Sequence, residues 1–116
     1  MNPAELKTRT KAFALRIIKL TQALPNSAAG RAIASQIVRS GTAVAANYRA
    51  TCRARSKAEF ISRIGIVEEE ADETALWLEL LGESGLVPVR RLAAILKEAE
   101  DLTAIMAASR KTASGK

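Results

Sequence analysis

The sequence predicts an all-α protein, an antiparallel up-down-up-down four-helix bundle that assembles into a homo-oligomer. Three observations carry the fold class. Ala, Leu, Ile, Arg and Glu dominate a chain that is 48% hydrophobic and only 3% aromatic, a composition that favours helix over sandwich or barrel. Breaks at Pro25-Asn26-Ser27, around Arg53 to Ser56, and from Gly82 to Pro88 divide it into four segments of bundle length. Within each segment the apolar residues recur at helical spacing. A chain of 116 residues suits a single domain over 1–116. Helices are expected at about 4–24, 28–52, 57–83 and 88–109, with the tail 110–116 frayed.

The first helix places Phe13, Ile17, Leu20 and Leu24 on one face and stops at Pro25. Asn26 or Ser27 is a suitable N-cap for the second. On that second helix Ile33, Ile37, Val44 and Tyr48 fall within about 60°. Arg31, Arg39, Arg49 and Arg53 fall within about 80° on the opposite side, and Arg55 and Lys57 extend the run through the next turn. Ser56 and Glu59 have the spacing of a capping box at the start of the third helix. Phe60, Ile64, Val67, Ala71, Thr74, Leu78 and Leu81 then repeat as a regular seam. Ile66, Leu76, Trp77 and Leu80 lie on another side of the same helix. A small bundle buries one stripe per helix, so this second set is expected to face a partner subunit. Gly85 suits a helix stop and Pro88 the first turn of the fourth helix. Leu92, Ile95, Leu96, Ala99, Leu102, Ile105 and Met106 form the last core stripe.

Charge is divided along the chain. From Met1 to Arg63 twelve Lys and Arg face only Glu5 and Glu59, whereas Ile64 to Thr103 holds ten acids against Arg90, Arg91 and Lys97. The net charge is +6. Such asymmetry suits either a basic face for a polyanion or complementary faces that meet in an assembly.

Several chemistries are excluded. Histidine is absent, which removes Ser-His-Asp and Cys-His catalysis and His-containing metal sites. Cys52 is the single cysteine, so neither an internal disulfide nor a CxxC pair can form, in keeping with a cytoplasmic location. No segment reads as a membrane span or a signal peptide. No cofactor or metal is expected, and the acids Glu68, Glu69, Glu70, Asp72 and Glu73 point in different directions around a helix. Ser40-Gly41-Thr42 lacks the Gly-Lys-Ser/Thr of a phosphate loop and instead suits close approach of a neighbouring helix. Asn47 is expected to anchor a buried hydrogen bond, to Glu70 or Asp72. Cys52 reads as a small apolar packer.

Three ordered blocks carry a family resemblance. They are Gln36-Ile37-Val38-Arg39-Ser40-Gly41-Thr42-Ala43-Val44-Ala45-Ala46-Asn47-Tyr48-Arg49, Ala54-Arg55-Ser56-Lys57-Ala58-Glu59-Phe60-Ile61, and Glu69-Glu70-Ala71-Asp72-Glu73-Thr74 with Trp77-Leu78-Glu79-Leu80-Leu81. The chain resembles the small bacterial four-helix-bundle proteins named for reading frames in 23S rRNA intervening sequences. That family is similar in fold to the accessory variability protein of diversity-generating retroelements. The resemblance implies a pentamer with a basic surface for nucleic acid, and no enzymatic activity. Ala50-Thr51 stands where many relatives carry Glu and a small residue, so no role of that acid transfers to this chain.

The expected function is therefore a non-enzymatic, oligomeric nucleic-acid-binding accessory protein. Arg31, Arg39, Arg49, Arg53, Arg55 and Lys57 are its candidate phosphate contacts. Scarce aromatics favour structured or duplex RNA or DNA over single strands. The alternative is an oligomeric adaptor that recruits a protein partner without binding nucleic acid.

Overall fold

The structure, a computed structural model, describes residues 1–115. It contains four helices: α1 (Pro3–Gln22), α2 (Ala28–Thr51), α3 (Lys57–Glu83) and α4 (Val89–Ala113). They pack as a bundle 45 Å long and 21 Å across. Short connections make successive helices antiparallel neighbours, so α2 packs on α1 and α3, and α3 packs on α4. The α1–α4 seam is the lightest. There Arg9 on α1 makes a bidentate pair with Glu98 on α4, with N–O distances of 2.8 and 2.7 Å.

Local chemistry sets each boundary. Asn2 caps α1: its side chain accepts from the Glu5 N–H at 2.9 Å while Glu5 reaches back to the Asn2 N–H. Ser27 caps α2 by accepting from the Gly30 N–H at 3.1 Å. Ser56 caps α3 through the Glu59 N–H at 3.0 Å. The expected reciprocal box is only half formed, because the Glu59 carboxylate accepts from the Arg55 N–H and from Arg63 instead. Gly85, at φ +80°, ends α3 in the left-handed region that glycine enters without penalty. The Val87 N–H then bonds to the Leu81 carbonyl at 3.1 Å, which tucks Val87 into the core. Pro88 stands just before α4 as its N-cap rather than inside its first turn. The fourth helix continues through Ala113, where the sequence led us to expect a frayed tail from residue 110. Arg110 explains part of this extension, since its Nε donates to Glu68 at 2.8 Å. Lys116 lies outside the described residues.

The core follows the periodic stripes. Phe13, Ile17, Ile37, Val44, Ile64, Val67, Leu78, Leu81, Leu102 and Met106 are fully buried, with Leu20, Leu24, Ile33, Phe60, Leu96 and Ile105 packed at the margin. Gly41 brings α2 unusually near α1. A Cβ there would lie 2.9 Å from both γ carbons of Ile17. A buried polar contact joins α2 to α3: the Ser40 and Thr74 hydroxyl oxygens are 2.8 Å apart. Thr74 is also 2.8 Å from the Glu70 carbonyl. With one proton per hydroxyl, Thr74 donates to that carbonyl and Ser40 donates to Thr74. Asn47 does not provide the expected cross-helix anchor. Its amide donates to the Ala43 carbonyl of its own helix at 2.9 Å.

Candidate nucleic-acid interface

The arginines that share one face of α2 do not share one environment. Arg31 sits near the start of the helix, where its guanidinium donates to the Asn26 side chain at 3.0 Å and to its carbonyl. From Arg31 to Arg49 the helix rises about 27 Å, so Arg31 cannot share one short stretch of phosphates with the arginines at the other end. Arg39 is turned toward α3. It donates to both Glu70 oxygens at 3.2 Å and to Glu73. Bonds to Glu70 first, and then to Glu73, raise the Arg39 pKa further above its ordinary value. The Glu73 carboxyl is held below its usual range by the Trp77 indole N–H, donating at 3.0 Å, and then by Arg39. Arg39 is thus neutralised by its own chain.

Arg49, Arg53 and Arg55 do converge. With Arg63 of α3 they line an open cleft of about 600 Å³ between the end of α2 and the start of α3. Ala46 and Ala50 also line it, and Glu59 is the one acid among its lining residues. Arg63 Nε donates to Glu59 at 3.0 Å, leaving the rest of that guanidinium fork free to receive an anion. Lys57 is exposed at the first residue of α3 and does not line the cleft.

A second groove runs along the other side of α2. Lys7, Lys11 and Ala14 of α1 face Thr42, Ala45, Ala46 and Arg49 across about 390 Å³. Ala46 and Arg49 belong to both grooves. The basic surface therefore wraps around the C-terminal half of α2 and draws on three helices. Lys7, Lys11 and Arg63 were not among the residues expected from the sequence. The excess of basic residues before Ile64 was the available signal, but helical spacing on α2 alone could not reach them.

The residues expected at a subunit interface are divided as well. Ile66, Leu76 and Leu80 expose 39%, 48% and 39% of their surface. Trp77 is half-buried, packs against the core and donates to Glu73. Several acids of α3 are paired within the chain: Glu68 holds Arg110, and Glu70 and Glu73 hold Arg39. On the far side of the α2–α3 turn, Cys52 and Tyr48 line a pocket of about 330 Å³ with Leu6, Phe60 and Ile64. Burial pushes the Tyr48 phenol well above its ordinary range, with the Cys52 thiol alongside adding to the effect.

A helical bundle with this basic end can be compared with known proteins. The family model described as 23S rRNA-intervening sequence protein matches residues 4–108. The chain belongs to this family. A solved structure from Bacteroides thetaiotaomicron VPI-5482, described as a protein with unknown function from the S23 ribosomal protein family, is 32% identical. It superposes with a TM-score of 0.87 over 96% of this chain and 99% of that one. No curated protein matches the chain. Membership in the 23S rRNA-intervening sequence family accounts for the four helices and their order, and it leaves the chemistry to be argued from the basic surface itself. No helix among the described residues is long and apolar enough to cross a membrane.

Proposed function

We propose that this member of the 23S rRNA-intervening sequence family is a non-enzymatic, cytoplasmic, nucleic-acid-binding accessory protein that acts as a homo-oligomer. The observation that carries the reading is the convergence of Arg49, Arg53, Arg55 and Arg63 on one cleft with Glu59 as its only acidic lining residue. Ordinary solvated helix faces mix signs to form supporting pairs. Guanidinium groups hold phosphate through paired donors and keep their protons at neutral pH, so they suit binding rather than proton transfer.

Assembly would multiply the contacts of each copy. Ile66, Leu76 and Leu80 are exposed on α3 among Glu69, Asp72, Glu79 and Glu83. Leu15 and Ile18 are exposed on α1, 59% and 39%, beside Arg16 and Lys19. One face is apolar and acidic, the other apolar and basic. Contact between unlike faces of successive copies is heterologous, which gives a ring where the rotation between copies closes, and the family resemblance implies a closed ring of five subunits. The adaptor reading keeps the oligomer and has its basic face dock an acidic protein partner in place of nucleic acid.

Charge reversal separates the two readings. Arg49→Glu with Arg53→Glu is expected to abolish salt-sensitive binding of structured RNA or duplex DNA while helical content is retained. Unchanged affinity in that variant removes the cleft from the binding site.

A further inference from the structure

Building on the polyanion-binding function proposed above, we infer that the ligand is a double-stranded nucleic acid straddled by α2. In this arrangement Lys7 and Lys11 hold the phosphates of one strand, and Arg53, Arg55 and Arg63 hold those of the other. The two grooves on either side of α2 carry the argument. Ala46 and Arg49, which line both grooves, mark the outward crest of the helix, while Thr42 and Ala45 border the α1 groove and Ala50 the α3 groove. The crest is therefore a ridge with small side chains at its flanks and a row of cations beyond each one.

The spacing suits two strands. Packed helix axes lie 8–10 Å apart, which puts α1 and α3 about 14 Å from each other across the corner at α2. The major groove of B-form DNA is about 12 Å wide, and the minor groove of an A-form RNA helix is wide and shallow. A helix ridge fits either, and the cations beside it meet the flanking phosphates.

The chemistry of the ridge also selects against single strands. Neither groove is lined by an aromatic side chain, so unpaired bases find nothing to stack on. Without stacking, affinity comes from phosphate charge, and a duplex carries one charge per ~1.7 Å of axis. Alanines along the ridge present no donors or acceptors to base edges, which leaves Arg49 as the main ridge side chain able to reach them. Recognition is accordingly mainly of duplex shape and backbone, with little sequence readout.

The test is fluorescence anisotropy with labelled 20-base-pair RNA, 20-base-pair DNA and the matching single strands, across a series of salt concentrations. Three double variants of the full chain are compared with the parent. Lys7→Ala with Lys11→Ala removes one row, and Arg53→Ala with Arg63→Ala removes most of the other. Arg90→Ala with Arg91→Ala removes equal charge from the exposed start of α4 at the opposite end of the bundle. The inference expects duplex binding at least ten-fold tighter than single-strand binding. It also expects each row variant to flatten the salt slope by about 1.8, two contacts at about 0.9 each, with the α4 variant unchanged. A preference between the RNA and DNA duplexes identifies which groove is occupied. Single strands bound as tightly as duplexes, or a Lys7/Lys11 variant that behaves like the α4 control, overturns the straddling arrangement while leaving the cleft as a polyanion site. Absence of binding by every probe at low salt overturns both.

Discussion

Arg39 and Glu70 form a two-pronged pair across the α2–α3 seam, each guanidinium nitrogen 3.2 Å from a different carboxylate oxygen. This pair splits the arginine face of α2 into a structural half and an open half. Arg39→Ala is therefore expected to leave nucleic-acid affinity within about two-fold, in contrast to Arg49→Ala. It should lower the melting temperature slightly, by an amount that shrinks as salt screens the pair in the parent. Parallel anisotropy and thermal melts of the two variants check this. A loss of affinity in Arg39→Ala equal to that in Arg49→Ala would return Arg39 to the binding surface.

Ala46 belongs to both basic grooves and is exposed. Ala46→Glu keeps a good helix former and places a carboxylate between the two cation rows. Its expected effect is a loss of ten-fold or more in duplex affinity with an unchanged circular dichroism spectrum. Ala46→Gln, equal in size and uncharged, should lose much less.

The closeness of α1 and α2 at Gly41 makes a second kind of prediction. Gly41→Ala adds a methyl 2.9 Å from the branched carbons of Ile17, which sit near the backbone and cannot swing away. Overpacking of this kind costs ~1–3 kcal/mol, against a helix-propensity gain of at most about 1 kcal/mol. Urea unfolding should show a net loss of stability. A smaller cost of Gly41→Ala in an Ile17→Ala background, which lacks both γ carbons, would locate the strain at that contact.

Leu76 and Leu80 test the assembly. Leu76→Glu with Leu80→Glu exposes no core, because both side chains already face outward. Light scattering on a sizing column is expected to show a large oligomer for the parent and a smaller species for the variant. A parent that elutes as a monomer contradicts the ring.

Acid should weaken the Glu73 contacts in a defined direction. The folded carboxyl is held below its ordinary range by Trp77 and Arg39. Its contribution is therefore complete above the unfolded carboxyl pKa of about 4.3 and is lost as pH falls through the lower folded value. Trp77 fluorescence followed down to pH 2 reports the step, and Glu73→Gln should remove it.

The periodic stripes made the bundle legible because each helix buries a face that its own sequence marks. The seam from Ile64 to Leu81 on α3 is the clearest case, and the structure buries Ile64, Val67, Ala71, Thr74, Leu78 and Leu81 there. Spacing within one helix does not say what stands opposite, and the differences arise at that limit. Arg39 looked free because Glu70 and Glu73 lie 31 and 34 residues away in the chain. Lys7, Lys11 and Arg63 belong to other helices, so their approach to Arg49 is a product of packing. The Ser40–Thr74 contact was hidden for the same reason, while Asn47, the more conspicuous polar residue, bonds within its own turn. The Asn2 cap was legible in principle, since Asn followed three residues later by Glu is a capping pattern.

The salt dependence of duplex binding by the unaltered protein tests the central claim most directly. If six cations around α2 hold phosphates, log affinity should fall against log salt with a slope of about −5.4. Binding should be saturable at low salt and lost steeply toward physiological salt. A flat salt response, or no binding of any duplex at low salt, would contradict the account and favour the adaptor reading, in which the basic face docks an acidic protein.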